Sequence, residues 1–350
     1  MPGTGRRRLV TMADVASNAN VSVTTVSHVL NRTRKVAAPT EQAVLAAVAA
    51  TGYVPDDVVR SMRTVGTRMV GLALSLSLNP SFNELILSIE RSLTLSGYSL
   101  LLTDTHDDPA SELRAISDLL ARNVDAVILA PSARPERALT YCEQRNIPVA
   151  VVDRILPSLD IDQVGSENVE STAALVDHVV HNGHRRVAMI SGKTGLTTTT
   201  ERVAGYRLGL ERNDLKFSRK YLVSGDSTEL GGRRALQSLL ELPEQPTAVV
   251  SGNNQMTIGV MGAARAAGIT IPGDLALIGY DDFAWADFFS PRLSVLAQPI
   301  DAIGDHAVRM LLTRLADPDT PHRKVSLRPQ FVHRDSCGCV EGERGASSAS

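Results

Sequence analysis

Cysteine is scarce in this 350-residue chain, with three residues at positions 142, 337 and 339. An odd, sparse set excludes a disulfide-stapled secreted domain and predicts a reducing compartment. Long apolar runs are missing too. No stretch approaches the roughly 18 consecutive apolar residues that a membrane-spanning helix needs. Three arginines stand in the first eight residues, but no apolar segment follows them, so no secretory leader is readable. Together these absences predict a soluble, cytoplasmic protein. A positive balance is also lacking. The formal net charge of −2 does not by itself point to a nucleic-acid partner.

Catalytic constellations are equally wanting, because nothing arranges a nucleophile beside a base. Gly192-Lys193-Thr194 invites a phosphate-loop reading, but Val187 stands where that motif needs its first glycine. His178, His181 and His184 are spaced by three. Gly183 ends the helix before the third, and no cysteine or carboxylate completes a tetrahedral set at suitable spacing. Cys337-Gly-Cys339 is isolated, and packing is its simpler role. The expectation is therefore no metal and no cofactor.

What is present is unevenly distributed. Apolar residues make up 43% of the chain, enough for a sizeable core. Residues 1–63 hold 8 basic and 4 acidic side chains, which leaves −6 for the rest. A basic front on an acidic body is the asymmetry of a nucleic-acid-binding head. Three short helices are predicted there. The first starts at Thr11, with Asp14 three residues on as in a capping box. Asn20 is one of the few non-glycine residues comfortable in a tight left-handed turn. Ser22 caps a second helix to Val29 or Leu30, with Val26, Val29 and Leu30 inward. Pro39 opens a third that runs to Thr51, with Gly52 as its stop.

Helix, tight turn, helix is the layout whose second helix enters the major groove. Val23, Thr24, Ser27 and His28 form its outer face. Hydroxyls at Ser22, Thr25 and Ser27 can donate to phosphates. Val23 and the Thr24 methyl can meet a thymine methyl, and His28 a purine N7 or O6. A plain three-helix domain with polar residues facing water fits the same pattern.

From Met69 onward, apolar runs (MVGLALSL, SLLLTD, DAVILA, IPVAVVD, RRVAMISG, TAVVSG, LALIGYDD) alternate with amphipathic stretches at 83–96, 110–122, 169–182 and 201–213. Several of these close on Gly97, Asn123, Gly183, Asn213 or Gly268. The alternation predicts parallel sheets covered by helices on both faces. Nine or ten such runs exceed one sheet, so two sheets joined by crossing strands are expected, with a ligand at the carboxyl ends of the strands. Residues 55–63 could form a short helix that orders only on a partner.

The run TMADVASNANVSVTTVSHVLN, from Thr11 to Asn31, resembles the headpiece of the lactose/galactose repressor (LacI/GalR) family, and the recognition helix with NRTRKVA resembles its purine-repressor branch. GYVPDDVVRSMR is similar to the family's hinge. The body shares the landmarks VGLALSLSLNPSF, VAVVDR, GHRRVAMISG, ERVAGY, SGNNQMTIGV, IPGDLALIGYDD and VHRDSCG. The resemblance implies a small all-α helix-turn-helix headpiece plus an α/β periplasmic-binding-protein-like body of two doubly wound subdomains. It divides the chain into a headpiece at 1–54, a hinge helix and linker at 55–68, an effector-binding and dimerisation domain at 69–340, and a disordered tail at 341–350.

It also implies a transcriptional regulator, most often a repressor, that binds a palindromic double-stranded DNA operator as a homodimer under the control of a small molecule. Carried over residue by residue, DNA contacts fall on Thr11, Ser22, Val23, Thr24, Thr25, Ser27, His28 and Asn31, with Met62 as a minor-groove wedge. Effector contacts fall on Phe82, Asp153, Arg202, Asn253 and Asp281. There are departures. Asn20 replaces a glycine, and Ala38 stands where a hydroxyl cap is common. Asp56 and Val59 replace the hinge's Asn and Ala, and Met62 its Leu. Asn254 replaces an Asp, and Ser166-Glu167-Asn168 stands where Asp-Asn is common. Ser81 and Ser227 stand where purine-binding members stack aromatics, so a sugar or sugar derivative is the expected ligand. Residues 340–350 contain no leucine, which argues against a tetramerising heptad helix. A solute-binding transport protein and an α/β enzyme are the readings from other classes.

Overall fold

A computed structural model describes residues 12–31, 34, 36–51, 66–76 and 80–339. The chain separates into two compact units, with the boundary between Thr67 and Arg68. The first unit holds α1 (Met12–Asn18), α2 (Val23–Asn31) and α3 (Ala38–Thr51). Their apolar stripes meet in one small core in which Val15, Val26 and Val44 are fully buried. Asn20 adopts a left-handed φ of 52° between α1 and α2, as the tight turn requires. The third helix begins at Ala38 rather than Pro39. Ala37 takes the capping position, and its carbonyl accepts from the amides of Thr40 and Glu41.

The second unit carries two six-stranded sheets. The first lobe has β1 (Met69–Leu74), β2 (Ser99–Asp104), β3 (Ala126–Leu129), β4 (Val149–Asp153), β5 (Asp162–Ser166) and β11 (Lys324–Leu327), in spatial order β11-β5-β4-β3-β1-β2, all parallel. Its helices are α4 (Pro80–Leu95), α5 (Pro109–Ala121), α6 (Glu136–Glu143) and α11 (Ile300–Ala316). The second lobe has β6 (Val187–Ser191), β7 (Leu222–Ser224), β8 (Ala248–Ser251), β9 (Ala276–Tyr280), β10 (Ser294–Ala297) and β12 (Gln330–Val332). Their order is β12-β10-β9-β8-β6-β7, with β12 antiparallel. Its helices are α7 (Val169–His181), α8 (Thr197–Arg212), α9 (Glu229–Leu240) and α10 (Asn254–Ala266). The chain crosses between lobes after β5, after β10 and after β11.

Central strands such as β3, β6 and β9 are buried end to end, which is why they read as unbroken apolar runs. Strand β5 is equally buried but has the sequence DQVGS, and its polarity hid it. Each polar side chain in it is partnered. Asp162 accepts from Arg314 at 3.0 and 3.1 Å, and Gln163 bonds the backbone of Leu156 and Leu159. Gly97, Asn123, Gly183 and Gly268 do adopt left-handed angles after their helices. After α8, Asp214 takes that role (φ 55°) instead of Asn213.

Candidate DNA-reading helix and effector cleft

Helix α2 begins as the sequence suggests. Ser22 Oγ accepts from the amide of Thr25 at 3.1 Å and shares a hydroxyl bond with Thr25 Oγ1 at 2.9 Å. Its capping oxygen satisfies an amide that the helix start would leave unpaired. Val26 and Val29 anchor the helix in the core. The opposite side leaves Val23 46% exposed and Thr24 exposed, with Ser27 and His28 half-buried beside them. A valine presented to solvent on a helix that buries two others gives that face an apolar contact point. Asn31 is the last residue of α2. Its side chain, Thr11 and Met62 lie outside the described residues.

The second unit has a cleft between its lobes with a cavity of about 210 Å³. All five effector residues named from the sequence line it: Phe82, Asp153, Arg202, Asn253 and Asp281. Four carboxylates line it, Asp107 and Asp153 from the first lobe and Asp226 and Asp281 from the second. Asp153 ends β4 with φ 66°, and Asp281 follows β9 with φ 73°. Left-handed backbone at a non-glycine residue is costly, and such residues cluster at ligand sites. Burial raises the pKa of both carboxyl groups. Arg154 and Arg202 oppose that rise at Asp153, and Arg202 and a hydrogen bond from Gln298 oppose it at Asp281.

Arg202, on α8, is fixed in place. Its Nε donates to Asn168 Oδ1 at 2.9 Å, its Nη1 donates to the Gly252 carbonyl at 2.6 Å, and its guanidinium lies 3.5 Å over the Tyr280 ring. Asn253 spends its Oδ1 on capping α10, where it accepts from the amide of Met256 at 2.9 Å. Phe82, 8% exposed, lines the cavity from α4. Ser81 and Ser227 line the same cavity and present hydroxyls to it rather than aromatic rings.

Sequence reasoning missed several cleft residues. Arg154, 5% exposed, pairs with Asp107 at 2.5 Å and donates to the Pro131 carbonyl at 2.7 Å. Burial alone would lower its pKa, but Asp107 and Asp153 hold it above the ordinary value. Its signal was the R of VVDR, next to the aspartate already singled out. Lys193 reaches across from the second lobe to the Asp107 carbonyl at 2.9 Å. Gln298, on the crossing after β10, accepts from Ser166 Oγ and donates to Asp281 Oδ1, each at 2.6 Å. Nothing local in the sequence marks it.

Comparison with known proteins agrees with this geometry. Residues 11–56 match the bacterial regulatory proteins of the lacI family, and residues 176–337 the periplasmic binding protein-like domain. The HTH-type transcriptional repressor PurR of Klebsiella pneumoniae (strain 342) is 34% identical over 330 residues, covering 94% of this chain and 97% of that protein. The chain belongs to the lacI family of bacterial transcriptional regulators.

This regulator also resembles two solved structures across most of its length. The transcriptional regulator CelR–cellobiose complex superposes with a TM-score of 0.73 at 26% identity, covering 93% of this chain and 99% of that one. The lac repressor dimer bound to operator and the anti-inducer ONPF gives 0.71 at 25% identity, covering 94% and 99%. These relatives are DNA-binding regulators rather than enzymes, and the enzyme and transport readings are set aside. Among the described residues no helix is long and apolar enough to cross a membrane.

Proposed function

We propose that this lacI-family regulator represses transcription from a palindromic operator, which it grips as a homodimer in the cytoplasm, and that a sugar or sugar derivative in the cleft controls that grip. In this reading the headpiece is 1–54, the hinge 55–68, the effector and dimerisation domain 69–340, and the tail 341–350. The α2 face bearing Val23, Thr24, Ser27 and His28 reads bases. Ser22 and Thr25 meet phosphates, and Thr11, Asn31 and Met62 complete the contact. One helix of this length reads few base pairs, so two heads on a two-fold axis are needed. Leu87 and Leu95 of α4, 65% and 83% exposed, offer a surface that a second copy would cover.

The observation that carries the effector reading is the convergence of Asp153, Asp281 and Arg202 on one small cavity walled by Phe82. Two buried carboxylates accept several hydroxyls, a guanidinium donates to ring or anomeric oxygens, and an aromatic face packs the C–H side of a pyranose. The name of the CelR–cellobiose complex supports a sugar. Ser81 and Ser227 line the cavity with hydroxyls that cannot stack a base, which favours a sugar over a purine.

A ligand held by both lobes shifts the balance between their open and closed arrangements, and the dimer passes that shift to the hinge. A thermal-shift panel of sugars, nucleosides and amino acids tests the ligand class. A sugar should raise the melting temperature, and a response to nucleosides alone would replace this reading. Arg202→Ala should keep operator binding in fluorescence anisotropy while losing the effector response. A surviving response would remove Arg202 from the effector site.

A further inference from the structure

Two lone sequence signals, the histidines around His178 and the Cys-Gly-Cys near the chain end, meet in the folded second lobe. His178 sits in the third turn of α7. His333 follows β12, and Cys337 and Cys339 occupy the turn after it. One ligand atom from each of the four lies within 4.8 Å of the others. The closest approaches are 3.0 Å from His333 Nε2 to Cys337 Sγ, 3.0 Å from His178 Nε2 to Cys339 Sγ, and 3.4 Å between the two sulfurs. The sequence offers no cysteine at a suitable spacing from His178, His181 and His184, but the fold brings Cys339, 161 residues further along the chain, to His178 alone among them.

We propose that His178, His333, Cys337 and Cys339 bind one divalent transition-metal ion, zinc by the chemistry of its donors. Two thiolates and two imidazoles are a structural zinc set. Bond lengths of about 2.3 Å to sulfur and 2.0–2.1 Å to nitrogen make a tetrahedron with edges of roughly 3.3–3.8 Å. The four atoms bracket those edges, so small side-chain rotations close the site.

The surroundings suit thiolates. Asn182 Nδ2 donates to Cys339 Sγ at 2.6 Å, and Ser294 Oγ donates to Cys337 Sγ at 3.2 Å. Outer donors of this kind orient ligating sulfurs and stabilise their charge. Phe331 packs its edge against His178 with ring centroids 4.9 Å apart, which keeps an apolar wall on the site.

The turn that presents the cysteines is itself pinned. Ser336 Oγ accepts from the amide of Ser294 at 2.9 Å and donates to the Leu277 carbonyl at 2.6 Å. Asp335 pairs with Arg292 at 2.8 Å. Metal binding here releases the two thiol protons to solvent and clamps the chain's last described residues onto α7. Along α7, the site stands about 15 Å from Asn168, the cleft partner of Arg202. Its role is therefore structural and separate from the effector.

Untagged full-length protein, stripped with chelator under reductant, tests the site with Co²⁺ as the spectroscopic probe. One equivalent should bind, with thiolate charge-transfer absorption and the visible bands of a tetrahedral centre, and one equivalent of Zn²⁺ should bleach them. Cys339→Ser and His178→Gln should each weaken Co²⁺ binding at least 100-fold, and Asn182→Ala about 10-fold. His184→Gln, outside the set, should leave binding intact. Cys339 and His178 are only partly buried, and circular dichroism verifies that the variants remain folded. Absence of the thiolate band in the reduced chain, or its persistence in both ligand variants, overturns the proposal.

Discussion

Asp153 and Asp281 are buried acids held in left-handed backbone, and under the proposed effector reading their ionisation state sets which ligands the cleft accepts. The folded chain holds their protons more tightly than the unfolded chain does. Their ionisation therefore opposes folding, and each contributes less stability as pH rises from the unfolded value through the raised folded one. A ligand that donates hydroxyls binds the ionised form. Effector affinity should thus fall as pH drops through the raised folded values, above the range of an ordinary aspartate, and binding should release protons. Asp153 faces Arg154, Arg202, Asp107 and Asp281, and Asp281 faces Arg202 and Gln298, so these groups set where the fall occurs. Calorimetry in buffers of different ionisation enthalpy reads the released protons, and a pH-independent affinity would contradict the carboxylate contacts. On the head, His28→Ala should cost about 1–3 kcal/mol on the best operator and relax preference at one base position. Anisotropy against single-base operator variants measures it. An equal loss on all sequences would make His28 a phosphate contact instead.

Elements explain why the sites hold still. Helix α2 is two and a half turns long and cannot persist alone in water, so its cap and its buried valines carry it. Ser22→Ala should destabilise the headpiece by about 1 kcal/mol through loss of the capping oxygen. Hydrogen exchange of the α2 amides in the full chain reads this directly, and unchanged protection would show that the cap is dispensable. Most elements were legible because apolar periodicity is a local property. The seven apolar runs from β1 to β9 are strands, and the four amphipathic stretches are helices. Strands β5, β7, β10, β11 and β12 were not legible. Four of them are only three or four residues long, too short for a run, and β5 buries Asp162 and Ser166, whose partners Arg314 and Gln298 lie far away in sequence.

At the scale of the whole body, the crossings between lobes decide how a ligand could be felt at a distance. Gln298 on one crossing joins Ser166 at the end of β5 to Asp281 in the cleft. A ligand that recruits Asp281 therefore competes for a group that ties two crossings together. Gln298→Ala should weaken effector binding and reduce the difference in operator affinity between the free and effector-bound states, with intrinsic operator affinity nearly unchanged. Anisotropy titrations with and without effector separate the two effects. A variant whose coupling matches that of the unaltered chain would show that the crossing plays no part in the switch.

Sequence alone settled the family, the helix-turn-helix order, the two-sheet body and five residues of the cleft. Each of those is written in runs of a few neighbouring residues, where helix and strand periods and motif spacings are set. Only the tertiary structure decided which polar groups meet. The Arg154–Asp107 pair, the Ser166–Gln298–Asp281 chain and the gathering of His178 with His333, Cys337 and Cys339 join side chains that are 17 to 161 residues apart along the chain. Such meetings depend on strand order and on where the chain crosses between lobes, and no local pattern of residues encodes either.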